Sequence, residues 1–381
     1  MKIAVLRERR PGEKRVAATP ETVKKMIGLG ASVVIEKGAG LASSYLDEAY
    51  KDSGAKIAAD AASALDGADI ILKVQRPVLK GEQTGTDQLE KAKKGAFILA
   101  LFSPYNNTKD LKVYAKQGLT TLALELVPRI TRAQTMDVLS SQTNLAGYRA
   151  VIEAAYVYDR AFPMMMTAAG TIPPAKILIL GAGVAGLQAV ATAKRMGAVV
   201  SAFDVRAAAR EQVESLGGTF ISVESDEKGE GTGGYAKEMS ADYQKRQADK
   251  IKATLEKSDI AITTALIPGK TAPRLITEDM IAVMKPGSVI LDMAVESGGN
   301  CALSEPGKIV EKNGVQIIGY INLPSRIARD ASALYARNVL NYLTLLIDKD
   351  SKKINLNFED EIIAATTLTH GGEVVHPNFK A

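Results

Sequence analysis

The segment that most restricts how this chain can fold is an apolar strand pattern that ends in three closely spaced glycines. Residues 176–180 are Lys-Ile-Leu-Ile-Leu, and the glycines that follow are Gly181, Gly183 and Gly186. A helical pattern comes next, and a second apolar run, 199–203, ends at Asp204. In a β-α-β unit such glycines permit a tight turn, close approach of a phosphate and close packing of helix on strand. The segment therefore predicts a dinucleotide-binding Rossmann unit, with Asp204 placed to accept a ribose 2′-hydroxyl.

Neighbouring residues bear on which dinucleotide is bound. Asp204 favours NAD over NADP, because the 2′-phosphate of NADP would lie against a carboxylate. Arg206 follows two residues later and could accommodate that phosphate, so the pattern favours NAD without excluding NADP. Val184 and Ala185 lie between the second and third glycines and are predicted to contact the dinucleotide.

Composition argues against several classes of protein. The 381 residues fit two domains, and the net charge of +5 is spread along the chain without a basic run. Because tryptophan is absent and aromatic residues are few, nucleic-acid binding is not expected. The single cysteine, Cys301, permits neither a disulfide framework nor a cysteine zinc site. We predict a reducing compartment, no metal, and a buried or loop position for Cys301. The sequence contains no apolar run of about 18 residues, so no membrane span is predicted.

Short strand patterns alternate with helical patterns, which predicts an α/β fold of two Rossmann-like domains with parallel sheets joined by long helices. The predicted strands are 2–6, 32–35, 70–74, 97–101, 120–124, 177–180, 199–203, 220–223, 260–264, 289–293 and 316–319. The long helices are 140–162, which ends at a proline, and 325–346. We predict a discontinuous first domain, 1–139 plus 327–381, and an NAD(H)-binding domain, 140–326. The cofactor is expected in the cleft between them.

Residues 224–240 interrupt the alternation. The 15 residues from Glu224 to Glu238 contain four glycines and seven charged side chains. Loops of this length without secondary structure are uncommon unless they are functional or disordered. The segment is consistent with a solvated surface loop or with a mobile lid over the nucleotide, in which Tyr235 is the one aromatic residue.

A nicotinamide cofactor implies hydride transfer, and oxidation of an alcohol or amine also needs a group that takes a proton. The two histidines, His370 and His376, lie in the C-terminal tail and are expected at the surface. Lys73 follows a predicted strand, and Arg15 could bind a carboxylate. Both could equally be surface charges.

A polar segment precedes the first long helix. It offers guanidinium, amide, carboxylate and hydroxyl groups from Arg129, Gln134, Asp137 and Ser140. Such groups can bind a nicotinamide carboxamide and its ribose, although none is a convincing proton shuttle. The alternative interpretation is a loop that caps the helix.

Several motifs together resemble one family over essentially the whole chain. They are the segments 129–141, 144–150, 181–186, 233–237 and 263–270. The family is the NAD(H)-binding component, domain I, of the proton-translocating nicotinamide nucleotide transhydrogenase. The resemblance implies an oxidoreductase component that forms a homodimer and is cytoplasmic, peripheral to the inner or plasma membrane. Its partners would be an NADP(H)-binding subunit and a membrane-spanning proton-channel subunit. Hydride would pass directly between NAD(H) and NADP(H), coupled to proton translocation.

The resemblance also implies roles for individual residues. The nicotinamide would be positioned by Arg129, Gln134, Asp137 and Ser140, and the nucleotide contacted by Asp204, Val205, Arg206, Gln247, Leu266 and the mobile-loop residues Gly234 and Tyr235. Transfer between two nicotinamides moves only a hydride, so no catalytic base is required. Catalysis can then rest on holding the two rings about 3–3.5 Å apart.

Alanine dehydrogenase shares this resemblance and is the alternative function. Arg15 and Lys73 stand where that family holds its substrate. The segment after strand 97–101 lacks the catalytic histidine that the alanine dehydrogenase family has there. Glu296 occupies the region where that family has its catalytic aspartate. We therefore expect Arg15 and Lys73 to be structural or ancestral rather than catalytic. A nucleotide-sensing module without catalysis is the alternative from another class.

Overall fold

A computed structural model describes residues 1–223, 229, 239–267 and 269–380. The chain divides into two compact units, one formed by Met1–Gln142 with Ser325–Ala381 and the other by Thr143–Pro324. The strands are β1 (Lys2–Val5), β2 (Ser32–Glu36), β3 (Lys56–Ala58), β4 (Ile70–Gln75), β5 (Phe97–Leu101), β6 (Thr120–Ala123), β7 (Met165–Thr167), β8 (Gly170–Ile172), β9 (Lys176–Leu180), β10 (Val199–Phe203), β11 (Thr219–Ile221), β12 (Ile260–Thr263), β13 (Val289–Asp292), β14 (Ile309–Lys312), β15 (Val315–Ile318), β16 (Thr367–His370) and β17 (Glu373–Val374). The α-helices are α1 (Pro20–Gly28), α2 (Asp47–Asp52), α3 (Ala61–Leu65), α4 (Thr108–Lys116), α5 (Val138–Val157), α6 (Val184–Arg195), α7 (Ala209–Ser215), α8 (Ala241–Leu255), α9 (Glu278–Ile281), α10 (Ala328–Leu346) and α11 (Glu361–Thr366).

The first unit is built on an eight-stranded sheet in the order β17-β16-β6-β5-β4-β1-β2-β3. Strands β1 to β6 are parallel, and the apolar residues of β1 and β4 are fully buried between the helices that cover both faces. Helix α1 begins where Thr19 forms a reciprocal capping box with Thr22 and a proline occupies the first turn. The helices therefore cover a sheet whose central strands are apolar on both sides, as expected for parallel strands.

The second unit is built on a seven-stranded sheet in the order β11-β10-β9-β12-β13-β15-β14. Strands β9 and β10 pair in parallel from Val199 opposite Lys176 to Phe203 opposite Leu180. The carboxyl ends of β9 and β10 therefore lie side by side at the carboxyl edge of the sheet. β12 pairs in parallel with the other side of β9, so its carboxyl end lies at this edge too. This edge positions the glycine segment.

The predicted α/β class, with two Rossmann-like domains built on parallel sheets, is confirmed, and each sheet also includes antiparallel strands. β14 is antiparallel to β15, and β16 is antiparallel to both β6 and β17. β14 and β17 are the edge strands, and each is joined to its antiparallel neighbour by a short turn that needs no crossover helix. The small antiparallel hairpin of β7 and β8 was also not predicted.

The first long helix ends earlier than predicted. Helix α5 ends at Val157 rather than at residue 162. Tyr158 and Phe162 are both buried, and their rings meet edge to face with centroids 6.1 Å apart. The chain therefore turns into the core before Pro163, because two aromatic side chains are buried there. The last long helix, α10, begins at Ala328 after a short 3₁₀ segment over Leu323–Ile327.

Candidate functional site

The turn after β9 requires glycine at its first position. Gly181 has φ of +101°, a left-handed conformation that L side chains rarely adopt. A Cβ there would also lie 2.6 Å from Thr264 Oγ1, which donates a hydrogen bond of 3.0 Å to the Gly181 carbonyl. Thr264 follows β12, so a side chain from the neighbouring strand closes the turn. Gly181 is therefore needed for both backbone geometry and packing.

The other two glycines differ in what surrounds them. A Cβ on Gly186 would lie 1.8 Å from the Gly181 carbonyl oxygen, so helix α6 can approach β9 only with glycine at this position. Among the described residues, a Cβ on Gly183 would meet only Arg206 Nη2, at 4.0 Å. Packing within the described residues requires Gly186 but not Gly183. Little else of the described chain lies beside Gly183, where the sequence predicts a phosphate.

The N-terminus of α6 has the properties of an anion site. Gly183 is the N-cap, no described side chain caps it, and the first turn of α6 contains no acidic residue. The unpaired N–H groups and the helix dipole place partial positive charge at this end. A pyrophosphate fits such an end, because it accepts those N–H groups at the open Gly183 backbone.

Asp204 lies at the end of β10, beside the glycine turn. Its Oδ2 accepts the Ala182 N–H at 2.7 Å, which ties the turn to β10. Arg206 binds the same carboxylate: Nε and the backbone N–H donate to Oδ1, both at 2.9 Å, and Nη2 donates to Oδ2 at 2.8 Å. These four donors match the roughly four lone-pair sites of an ionised carboxylate. A ribose hydroxyl can therefore bind Asp204 fully only if Arg206 yields some of these contacts.

The remaining predicted nucleotide contacts have varied environments. Val184 is exposed at the start of α6, Ala185 beside it is half-buried, and Val205 packs partly against the core. Leu266 is exposed in the segment after β12, whereas Gln247 lies on the buried face of α8. Gly234 and Tyr235, and most of the predicted mobile loop at 224–240, lie outside the described residues.

The polar segment predicted to position the nicotinamide belongs to the first unit. Arg129 and Gln134 are exposed, and Gln134 lies in a 3₁₀ helix over Thr131–Met136. The Asp137 carboxylate accepts the Ser140 N–H at 2.9 Å and the Ser140 hydroxyl at 2.5 Å. Asp137 and Ser140 thus cap the start of α5, as the alternative interpretation predicted. Their role toward a nicotinamide stays a prediction.

The carboxyl end of β1 carries a set of buried charges, which we call the buried charge cluster: Glu8, Arg9, Glu13, Arg15, Lys73 and Asp87. Lys73 is fully buried, and its Nζ lies 2.9 Å from Asp87 and 3.5 Å from Glu8. Arg15 donates through Nε and Nη2 to both oxygens of Glu13, at 2.8 and 2.7 Å, and through Nη1 to Gln142 Oε1 at 2.8 Å. Arg15 and Lys73 are therefore already paired with groups of the chain.

The pKa values of two carboxyls in this cluster, Glu13 and Glu8, are shifted in opposite directions. Burial alone would raise the pKa of Glu13, but its bidentate contact with Arg15 outweighs burial and lowers that pKa to about 2. Burial of Glu8 dominates over the attraction of the more distant Lys73 ammonium, and its pKa rises to about 7. The difference follows from contact geometry, since Glu13 faces a planar guanidinium at hydrogen-bond distance.

Neither histidine lies in the unit that contains the glycine turn. His370 is partly buried at the end of β16, with Nδ1 3.1 Å from the Thr120 hydroxyl. The expectation that His376 is at the surface is wrong. Its ring is buried against Phe379, Nε2 lies 3.1 Å from the Ala365 carbonyl, and burial lowers its pKa. Cys301 is buried as expected, and burial raises its pKa to about 11.

Sequence reasoning missed several groups around the site. Thr264, which closes the glycine turn, lies in the 263–270 motif but was not singled out. The hydrogen bonds that fill Asp204 were not anticipated from Arg206, although an Asp-x-Arg spacing allows such a contact. Among the described residues, no helix is long and apolar enough to cross a bilayer, and no group of three or more His, Cys, Asp or Glu side chains could hold a metal ion.

Comparison with known proteins places these features in a family. Residues 4–146 match the model described as alanine dehydrogenase/PNT, N-terminal domain, and residues 150–377 match the alanine dehydrogenase/PNT, C-terminal domain. The chain is 58% identical over 379 residues to a Rhodospirillum rubrum protein whose name designates it as the first portion of NAD(P) transhydrogenase subunit alpha. The match covers 99% of this chain and 98% of that protein, at the same 58% identity.

A solved structure and a more distant relative extend the comparison. A transhydrogenase crystal structure from Sinorhizobium meliloti superposes with a TM-score of 0.89 at 51% identity, covering 98% of this chain and 100% of that one. An alanine dehydrogenase from Halomonas elongata is 28% identical over 383 residues, covering 99% of this chain and 95% of that protein. On the family matches and this level of identity, the chain belongs to the alanine dehydrogenase/PNT family, and its close homologues carry the name NAD(P) transhydrogenase subunit alpha.

Proposed function

We propose that this chain binds NAD(H) and, with a partner subunit that binds NADP(H), transfers hydride between the two nucleotides. The observation that carries the proposal is the glycine turn, in which no described side chain caps α6, the described residues leave room beside Gly183, and Asp204 lies adjacent. The close similarity to proteins that carry the name NAD(P) transhydrogenase subunit alpha supports the same assignment.

In this proposal each region of the site has a separate task. The N–H groups at the start of α6 hold the pyrophosphate, with Gly183, Val184, Ala185 and Gly186 forming the backbone surface against it. The adenosine ribose contacts Asp204, Val205 and Arg206. Further contacts come from the exposed Leu266 and from Gln247, whose position on the buried face of α8 leaves it less accessible to the nucleotide. Gly234 and Tyr235 are assigned by resemblance alone.

The nicotinamide end is assigned to Arg129, Gln134, Asp137 and Ser140. When bound, the nicotinamide supplies or accepts the hydride, and these residues orient it. Asp137 and Ser140 are fixed to each other by two hydrogen bonds, so they offer a rigid edge rather than a proton-transfer group. No base is required of them, because the transfer moves a hydride alone.

The buried charge cluster argues against an alanine dehydrogenase-like activity. A substrate carboxylate would need the Arg15 guanidinium, and Glu13 already binds two of its nitrogens. A substrate would also have to separate Lys73 from Asp87 inside a fully buried site. Displacing such pairs leaves buried charges without partners, which is strongly unfavourable.

The assembly also belongs to the proposal. By family resemblance the chain forms a homodimer and joins an NADP(H)-binding subunit and a membrane-spanning proton-channel subunit, so that hydride transfer is coupled to proton translocation. The chain would then be cytoplasmic and peripheral to the inner or plasma membrane, held there through its partners.

The test is a titration of the purified chain with NADH and with NADPH, followed by a hydride-exchange assay. We expect tighter binding of NADH than of NADPH, no turnover by the chain alone, and exchange once an NADP(H)-binding partner subunit is added. NADH consumption with pyruvate and ammonia by the isolated chain would instead support an amino-acid dehydrogenase. NADH binding without exchange in the presence of a competent partner would support a nucleotide-sensing module.

Substitution Gln134→Ala tests the nicotinamide assignment. We expect hydride exchange to fall much more than NADH affinity, because Gln134 is proposed to orient the ring rather than to hold the nucleotide. Equal losses of exchange and affinity would remove Gln134 from that role.

A further inference from the structure

Asn300 is a fully buried residue in the segment after β13 whose side chain binds the segment that follows β12. Its Oδ1 accepts the Ala265 N–H at 3.1 Å, and its Nδ2 donates to the Ala265 carbonyl at 2.9 Å and the Pro273 carbonyl at 2.7 Å. Both amide hydrogens and the amide oxygen therefore have backbone partners.

These partners require an amide. A backbone N–H can only donate and a backbone carbonyl can only accept, so the side chain must accept once and donate twice within one short group. A carboxylate would place an oxygen against two carbonyl oxygens, and an apolar side chain would leave three buried polar groups without partners. Asn300 thus meets a requirement that no other side chain of similar size can meet.

The segment that Asn300 holds is also the one that closes the glycine turn. Ala265 directly follows Thr264, whose N–H donates to the Leu180 carbonyl at 2.8 Å and whose hydroxyl donates to the Gly181 carbonyl at 3.0 Å. Ala265 directly precedes Leu266, which is exposed. Fixing Ala265 on both its N–H and its carbonyl therefore fixes the Thr264 contact and the direction of Leu266.

Asn300 is itself held in place through its backbone. Its carbonyl accepts the N–H groups of Leu275 and Ile276, at 2.8 and 2.9 Å. The next residue, Cys301, donates its N–H to Asp292 at 3.0 Å. The hydrogen bonds thus run continuously from the end of β13 through Asn300 to the turn after β9.

We propose that Asn300 is a positioning residue of the dinucleotide site, acting through Ala265 on Thr264 and Leu266. With none of its surface exposed, it touches no ligand itself. The inference rests on the proposed function in one respect only, namely that the glycine turn binds NAD(H).

The test compares Asn300→Asp and Asn300→Ala with a control at the opposite end of β12. Asp259 directly precedes β12, is also buried, and accepts the Lys176 N–H at 2.8 Å. Asp259→Ala should therefore lower thermal stability without changing the glycine turn. Each variant is checked for folding by circular dichroism, and its dissociation constant for NAD⁺ is measured below its unfolding temperature.

We expect both Asn300 variants to bind NAD⁺ about tenfold more weakly per folded molecule, an effect equivalent to losing one or two hydrogen bonds. Asp259→Ala should bind as the wild type does. In Asn300→Asp the loss should be smaller at pH 5.5 than at pH 8, because a protonated carboxyl can donate to one of the two carbonyls. Should Asn300→Ala not fold, the Asn300→Asp variant and its pH profile still decide the question.

Three outcomes would overturn the inference. Folded Asn300 variants that bind NAD⁺ as tightly as the wild type would show that the amide serves stability alone. The same conclusion would follow if Asp259→Ala lost as much NAD⁺ affinity as the Asn300 variants. If the wild type binds neither NAD⁺ nor NADH, the proposed function fails and the inference fails with it. The wild-type titration thus separates the two results.

Discussion

The two units repeat one strand order yet use the carboxyl end of their first strand in opposite ways. The order is β3-β2-β1-β4-β5-β6 in the first unit and β11-β10-β9-β12-β13-β15 in the second. After β1, residues 6–19 run along the sheet edge before α1 begins, and they contribute Glu8, Arg9, Glu13 and Arg15 to the buried charge cluster. After β9, only residues 181–183 precede α6.

The difference shows that the strand order supplies an edge but does not decide what binds there. In the first unit the chain fills the edge with its own ion pairs, which satisfy Arg15 and Lys73 internally. In the second unit the short glycine turn leaves the α6 N–H groups and the Gly183 backbone without a described side chain capping them. We infer that the first edge is structural and the second binds the ligand.

The largest expected effect comes from the glycine that packs α6 against β9. Gly186→Ala would place a Cβ 1.8 Å from the Gly181 carbonyl oxygen, so α6 must move away from β9. We expect loss of cooperative folding of this unit, or a fall in its melting temperature of roughly 10 °C or more, as severe backbone overlap in a packed core implies. Circular dichroism melts measure the change.

Gly183→Ala is the matched comparison. Among the described residues, its Cβ would meet only Arg206 Nη2, at 4.0 Å, so the protein should fold with a nearly unchanged melting temperature. NADH binding should nevertheless fall steeply, because the methyl group occupies the space proposed for the pyrophosphate. A Gly183→Ala variant that binds NADH normally would contradict the assignment of this edge as the ligand site.

The next largest effect tests the filled edge. Lys73→Met removes the ammonium near Glu8 and leaves Asp87 with Arg9 as its cation, and removal of one partner of a buried pair costs about 3–5 kcal/mol. Urea unfolding should show that loss of stability. NADH affinity per folded molecule should change less than about twofold, because Lys73 belongs to the first unit and the glycine turn to the second. Adding Glu8→Gln should recover some of the stability. A stable Lys73→Met variant with lost NADH binding would reverse the roles of the two edges.

The sequence allowed good prediction where one local pattern determines the structure. Strands 97–101 and 199–203 have the bounds expected from the sequence, because each is a short, largely apolar run. The glycine turn could likewise be located from its own residues. Strand β14, in which two of four residues are charged, and strand β16, in which three of four are polar, carry little local signal, and β16 is defined by its pairing with the distant β6.

Burial of charge was the feature that local patterns could not reveal. The segment Arg7–Arg15 contains seven charged residues in nine and has the composition of a solvated surface loop. The side chains of Glu8, Glu13 and Arg15 are nevertheless buried, and Lys73, Asp87 and Gln142, far away in sequence, supply partners for side chains of the segment. The same applies to the Asp204–Arg206 contact, since an acid and an arginine two residues apart can equally well point in different directions.

A buried carboxyl in the first unit should make its stability depend on pH. Glu125 follows β6, its Oε1 accepts the N–H groups of Phe102 and Ser103, and its Oε2 is enclosed without a hydrogen-bond partner among the described residues. Burial raises its pKa from 4.5 to about 7. Because the folded pKa is above the unfolded value, its stabilising contribution is complete below pH 4.5 and is lost as the pH rises through about 7.

Glu125→Gln should therefore reduce the fall in unfolding free energy between pH 5 and pH 8 by up to about 3 kcal/mol. Urea unfolding at both pH values measures it. Glu82→Gln is the control, since contacts with Arg10 and Arg76 outweigh partial burial and lower the pKa of Glu82 to about 2. That carboxyl is largely ionised in both states across this range, so its variant should keep nearly all of the wild-type difference. An unchanged pH 5 to pH 8 difference in Glu125→Gln would show that the Glu125 carboxyl is ionised when folded.

The smallest expected effect concerns selectivity at the open edge. Asp204→Ala removes the acceptor proposed for the ribose 2′-hydroxyl and frees Arg206 from the contacts that now hold it to that carboxylate. NADH should bind about tenfold more weakly, the scale of one charge-assisted hydrogen bond. NADPH should lose less or gain, because the released guanidinium can pair with a 2′-phosphate. Asp204→Ala combined with Arg206→Met should abolish that relative gain, while an unchanged NADH-to-NADPH preference in Asp204→Ala would mean that this carboxylate only braces the turn through Ala182.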